Sequence, residues 1–367
     1  LCLPSRTAGS KSAKKYNMNK WDAIEVNCIS FFYMKRELPL GVKRHIKAHN
    51  GSRIYIGYNI LMQNNHFSYK MVNIIDIEKM IIRQVLLMKT AVLTDSTAYI
   101  PKTLREQLNI HMVPLSVVFG NETYREEIDI RADEFYEEVK KEEKLPTTSQ
   151  PPIGLFVETF SELAKEYDAV VSIHLSSGIS GTFQGAVAAG DMVEEIEVHC
   201  FDSEISCSVQ GFYVIEAAKM AQNGATPEQI IERLEEIKKS VRAYFMVDDL
   251  NHLQRGGRLG SAQAIIGSLL KVKPILHFQD KMIVPFEKIR TSKKALKRIV
   301  DLLEEDAKSG EPIEAVIIHA NRESDAREWM EELAARFPNV NFELSYFGPV
   351  IGTHLGEGAL GMGWYKK

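Results

Sequence analysis

Residues 169–182 read Ala169-Val170-Val171-Ser172-Ile173-His174-Leu175-Ser176-Ser177-Gly178-Ile179-Ser180-Gly181-Thr182, an apolar run that passes straight into a loop of hydroxyls and glycines. The run 169–175 is predicted as a buried strand and 182–190 as the helix that follows. Strand, loop and helix in that order form the repeating unit of an α/β fold. In an open α/β sheet, ligands bind at the carboxyl ends of strands, where loops and helix N-termini present unpaired N–H groups. An anion is therefore expected at 176–182. Glycines let the backbone approach a ligand closely, and hydroxyls donate hydrogen bonds to an oxyanion. A competing reading has Ser180 or Thr182 simply capping the next helix, although four hydroxyls and two glycines in seven residues exceed what a cap needs. The loop is not a P-loop, lacking the GK[ST] ending, and its spacing is not that of a G-x-S-x-G nucleophile elbow.

Outward from this unit, apolar runs and amphipathic patterns alternate: 89–94 with 102–108, 110–118 with 132–140, then 196–202, 208–223, 227–240 and 242–247. Thr226-Pro227-Glu228 announces the helix at 227–240 with an N-cap and a proline at its first position. The rhythm predicts an α/β first domain over 88–245, mostly parallel in its sheet. From 246 the arrangement changes to a hairpin at 272–278 and 282–288, helices at 291–307 and 323–336, and strands at 313–319 and 341–347. That predicts an α+β C-terminal domain over 246–367, with the ligand between the two. The helix expected at 261–272 is a candidate wall for an apolar tunnel, or an ordinary core helix.

Residues 1–87 differ from the rest. They hold 14 Lys/Arg against 5 Asp/Glu, whereas 88–367 hold 31 against 44, and they show no sustained period. They are expected to be a poorly structured, non-native upstream extension, with translation starting at Met88. A basic nucleic-acid arm using Lys14-Lys15, Lys35-Arg36 and Lys43-Arg44 is the alternative, and 71–87 has the pattern of an amphipathic helix. The acidic balance of 88–367 argues against nucleic acid as a partner. Cys2, Cys28, Cys200 and Cys207 have no CxxC spacing, which points away from disulfides and zinc and towards a reducing cytoplasm. No run of 18 apolar residues suggests a transmembrane segment. No HExxH or other metal spacing occurs, so neither a metal nor a cofactor is expected.

Three further polar clusters stand out. Thr147-Thr148-Ser149-Gln150 lies among Pro146, Pro151 and Pro152, reading as a rigid extended loop or a plain linker. Gly256-Gly257-Arg258 offers an arginine suited to a carboxylate or phosphate, or a tight turn with a solvated side chain. Gly352-Thr353-His354-Leu355-Gly356 sets a histidine among glycines.

In order along the chain, Thr94-Asp95-Ser96, Thr147-Thr148-Ser149-Gln150-Pro151, Ser176 to Thr182, Asp202-Ser203, Arg255-Gly256-Gly257-Arg258, Lys273-Pro274-Ile275-Leu276, Arg290-Thr291 and Gly352 to Gly356 resemble the DegV family of bacterial fatty-acid-binding proteins, which includes carrier subunits of fatty acid kinase. The resemblance spans 88–367. It implies a two-domain fold that buries a long-chain fatty acid such as palmitate, stearate or oleate, with the carboxylate at the domain interface. Thr148, Ser180, Arg258 and His354 match the family's head-group residues, and Ser149, Ser177, Asp95 and Ser96 match positions adjacent to them. Where relatives often read Gly-Pro-Gly-Ala after the histidine, this chain has Gly356-Glu357-Gly358-Ala359, a change that bears on partner docking. The resemblance also implies that a separate kinase, related to dihydroxyacetone kinases, phosphorylates the bound acid for phospholipid synthesis. The chain would then be a carrier and not an enzyme, meeting membranes only transiently. The enzymatic alternative is a serine hydrolase acting on acyl esters with Ser180, His354 and Asp95.

Overall fold

Two strands buried on both faces anchor the first half: β4 (Thr90–Asp95) and β9 (Ala169–His174), in which every residue is buried. Continuous apolar runs of this kind belong in the middle of a parallel sheet covered by helices on both sides. They pair in parallel with each other and are flanked by β10 (Glu197–Asp202) and β5 (Ile110–Val113), giving the parallel order β10-β9-β4-β5. The computed structural model describes residues 88–142, 144–260 and 273–367, together with the strands Glu25–Val26, Val42–His49 and Arg53–Ile60.

The run expected as one strand at 110–118 breaks in two. Pro114 has no N–H to give a ladder, and beyond it β6 (Ser116–Phe119) joins a separate antiparallel sheet, ordered β7-β6-β8, with β7 (Glu122–Arg125) and β8 (Thr147–Ser149). Thr148, expected in a proline-held loop, is thus in a strand, paired with Val117.

The second half is a six-stranded mixed sheet, β13-β12-β11-β16-β14-β15. Its members are β11 (Arg242–Met246), β12 (Ile275–Gln279), β13 (Met282–Glu287), β14 (Ile313–His319), β15 (Val340–Tyr346) and β16 (Leu360–Lys366). Two expectations need correcting here. Strand 242–247, assigned from the sequence to the first domain, pairs with β12 and β16 of the second sheet, so the boundary between the sheets falls before it. The C-terminal strand, unrecognised in the sequence, lies near the middle of that sheet, antiparallel to both β11 and β14. Its glycines conceal it, because glycine weakens strand propensity. They are there because of close packing: a Cβ on Gly363 would lie 2.3 Å from Val209, and one on Gly361 2.7 Å from Phe245 Cβ.

One hydrophobic core runs through both halves, joining Val92, Val171 and Ile173 to Leu276, Val316 and Tyr365, and the described residues from 88 onward belong to one compact unit. Separately, β1 (Glu25–Val26), β2 (Val42–His49) and β3 (Arg53–Ile60) form an antiparallel sheet within the segment expected to lack structure. The local signal is Ile54, Ile56, Tyr58 and Ile60 at alternate positions, too short a run to register as a sustained period. The helices expected at 71–87 and 261–272 lie outside the described residues. Among the described residues no helix is long and apolar enough to cross a membrane.

Candidate functional site

A cavity of about 320 Å³ opens between the two halves, within the size range of small-molecule sites. Most of its wall is apolar, including Leu175, Val209, Phe245, Phe278, Ile318 and Phe347. Its polar lining includes Thr148, Ser149, Ser180, Arg258 and His354. Five of the eight residues singled out from the sequence therefore share one cavity, although they come from four separate stretches of chain.

Each is held by its own local structure. The pairing of β8 with β6 places Thr148, whose Oγ1 lies 2.9 Å from His354 Nε2. His354 sits on the last turn of the helix Pro349–Leu355. The loop after β9 is pinned by the second half: Ser176 Oγ donates to Lys281 O at 2.6 Å, and a Cβ on Gly178 would lie 2.4 Å from that same oxygen. Ser180 Oγ is 2.8 Å from Thr182 Oγ1 and accepts from Thr182 N–H at 3.3 Å, but the N-cap of the helix Thr182–Gly190 is Gly181, with no side-chain cap, so neither hydroxyl takes the capping role considered from the sequence. Arg258 follows the left-handed Gly257 and donates from Nε to Ile179 O at 3.1 Å and from a terminal nitrogen to Gly256 O at 2.5 Å. Among the described residues it pairs with no carboxylate. Burial lowers its pKa, yet a guanidinium remains a cation at any physiological pH.

Burial, Arg258 and His252 together push the His354 pKa down to about 4. The ring is therefore neutral at pH 7 and adds no positive charge to the cavity. Its Nδ1 is buried without a hydrogen-bond partner among the described residues, and a Cβ on Gly256 would lie 2.2 Å from it. A buried N–H left without an acceptor is costly, which favours the tautomer with the proton on Nε2. His354 then donates to Thr148, and the Thr148 hydroxyl proton is free to point into the cavity.

Asp95, Ser96 and Ser177 do not line the cavity. The Asp95 carboxylate is fully buried and accepts from Thr97 N–H and Oγ1, Leu175 N–H and Gln210, with His174 Nδ1 at 3.0 Å. It organises the ends of β4 and β9 from below the site. Ser96 Oγ donates to Glu126. Ser177 contributes its backbone N–H to Asp202, whose pKa is lowered: burial works against ionisation but is outweighed by the hydrogen bonds from Ser177 and Lys281 and from the backbone. Asp95 and Ser96 thus turn their side chains inward, and Ser177, half-buried, takes part through its backbone. The hydrolase constellation is likewise not assembled, since Asp95 is bonded to His174, while His354 uses Nε2 on Thr148 and among the described residues has no partner on Nδ1 to orient it.

Sequence reasoning missed Gln150, Ser206 and Cys207 in the lining. Gln150 is signalled by Gly181, where a Cβ would fall 2.2 Å from its Oε1. Burial raises the Cys207 thiol to about 12, so it presents an uncharged wall. Among the described residues one His/Glu group, Glu197, His199 and Glu228, brings possible metal-ligating atoms within 4.8 Å of one another. It lies away from the cavity, and His199 Nε2 is 2.8 Å from Glu197.

The family described as "Uncharacterised protein, DegV family" matches residues 89–367. The chain belongs to the DegV family. Protein DegV of Bacillus subtilis is 68% identical over 281 residues, 76% of this chain and 100% of that protein. The crystal structure of DegV from Bacillus subtilis, described as a fatty acid binding protein, superposes with a TM-score of 0.74 at 67% identity, covering 76% of this chain and all of that one. A DegV family protein from Thermus thermophilus, whose structure is described by its fatty acid binding, gives a TM-score of 0.70 at 30% identity over 76% of this chain and all of its own. The DegV match thus takes in both halves and every cavity residue named above.

Proposed function

We propose that this DegV family chain is a carrier that binds a long-chain fatty acid, with the acyl chain in the apolar cavity and the carboxylate at Thr148, Ser180 and Arg258. The observation that carries this reading is the distribution of chemistry along the cavity wall: hydroxyls, a neutral histidine and an arginine without an acidic partner among the described residues stand against a mostly apolar lining. Such a wall suits a ligand with one anionic end and a long hydrocarbon tail. Fatty acid binding by solved relatives supports the same assignment.

Energetics divide the work. Each buried methylene contributes about 0.8 kcal/mol, so the tail supplies most of the affinity. A carboxylate entering the cavity loses its hydration and needs several donors to remain ionised. Thr148 supplies an O–H oriented by His354, Ser180 another, and Arg258 the compensating charge. Ser149 borders the same cluster. None of these residues forms a nucleotide-binding loop or an activated nucleophile, which fits a carrier whose chemistry is done elsewhere. By resemblance, the carboxylate is presented to a cytoplasmic partner kinase for conversion to acyl phosphate.

The test is native mass spectrometry of mildly purified protein, with thermal melting on addition of palmitate. A bound fatty acid and a rise in Tm are expected. Thr148→Val should weaken palmitate roughly 10- to 100-fold, the range for one hydrogen bond to a charged group. Absence of bound lipid together with an unchanged Tm would overturn the reading.

A further inference from the structure

Behind the cavity lies an acidic residue that is not part of its lining. Glu126 is fully buried, and its carboxyl group gathers donors from two distant parts of the chain. Ser96 Oγ donates to Oε2 at 2.5 Å, and Tyr99 OH donates to Oε1 at 3.0 Å, both from the turn after β4. Val350 N–H donates to Oε1 at 2.8 Å from the first turn of the helix Pro349–Leu355. Tyr99 OH also accepts from Ile351 N–H at 3.4 Å. Glycines let this helix sit against the first half: a Cβ on Gly348 would lie 2.3 Å from the Tyr99 ring, and one on Gly352 2.7 Å from Tyr136 OH.

One helical turn beyond Val350, about 6 Å along the axis, the same helix presents His354 to Thr148. Thr148 belongs to the first half, through β8. The helix therefore spans from one first-half anchor, at Glu126, to another at the cavity.

We propose that Glu126 is a positioning residue for the ligand head group: by holding the first turn of the helix Pro349–Leu355 against the turn at Ser96–Tyr99, it sets the His354–Thr148 hydrogen bond that aims the Thr148 hydroxyl. It deepens the fatty acid reading and rests on it. A carboxylate ligand feels this alignment, whereas a ligand held by its hydrocarbon tail does not.

The experiment measures binding of palmitate and of hexadecanol to delipidated full-length protein, as wild type, Glu126→Met and Glu126→Gln. Met keeps the length of the side chain but accepts no hydrogen bonds. Gln keeps one carbonyl oxygen for Val350 and Tyr99. Glu126→Met is expected to lose about tenfold in palmitate affinity with hexadecanol unchanged and a displaced His354 imidazole NMR signal, and Glu126→Gln to restore palmitate binding to within about twofold of wild type. Equal weakening of both ligands, or no weakening of either, overturns the proposal. Should Glu126→Met fail to fold, Tyr99→Phe is read by the same criterion, because it removes the phenol that bridges Glu126 and Ile351. Wild-type protein that does not distinguish palmitate from hexadecanol would instead overturn the carboxylate reading itself, before any variant is considered.

Discussion

His354 and Glu126 are both buried ionisable groups, and burial favours the neutral form of each, lowering one pKa and raising the other. His354 falls from 6.5 to about 4. Between those values the unfolded chain binds more protons than the folded one, so this residue's contribution to stability is complete above pH 6.5 and is lost as pH falls towards 4. Glu126 rises from 4.5 to about 8 through burial, against the opposing hydrogen bonds from Ser96, Val350 and Tyr99. The folded chain binds more protons across that interval, so this contribution is complete below pH 4.5 and declines as pH rises through 8. Urea unfolding across pH is expected to show both effects. His354→Gln should flatten the acid limb between 6.5 and 4, and Glu126→Gln the decline between 4.5 and 8; parallel profiles for wild type and variants would contradict the assignments.

At the scale of elements, two adjacent glycines at the end of the short helix Asn251–Gly256 serve different ends. Gly257 is needed for its left-handed backbone, φ +69°, with open space where a Cβ would go. Gly256 is needed for space, because His354 Nδ1 lies where its Cβ would be. Gly257→Ala should therefore cost about 1 kcal/mol of stability and leave palmitate affinity unchanged. Gly256→Ala should displace His354 and weaken palmitate binding by roughly an order of magnitude, at a stability cost of about 1–3 kcal/mol. Denaturant melts paired with binding titrations separate the two, and equal binding losses would refute the distinction. The same scale explains several surprises in the fold. Pro114 splits one apolar run into strands of different sheets, and β8 is a strand by virtue of its partner β6, since three polar residues among prolines carry little strand signal of their own.

For residues 88–367 as a whole, the continuous core predicts that the two sheets unfold together. Hydrogen exchange should give the slowest amides of β9 and β16 the same opening free energy, and a separate, cheaper opening of β16 would show the halves to be independent. The α/β alternation, the change of architecture near 246 and the cavity-lining positions Thr148, Ser180, Arg258 and His354 were all legible in the sequence. Apolar periodicity is a local property, and the motifs keep their order along the chain. Burial was not legible, and it decided the rest. Asp95, Ser96 and Ser177 have the same composition as true cavity residues, and only the packed structure turns their side chains or contacts inward. Strand β11 reads as the end of the first half until its partners are known, because pairing in a sheet is a contact between distant segments. The sequence by itself determined which residues are polar enough to receive a carboxylate; the tertiary structure alone decided which of them meet, because a long-range hydrogen bond such as His354 to Thr148 exists only once two sheets have closed around one core.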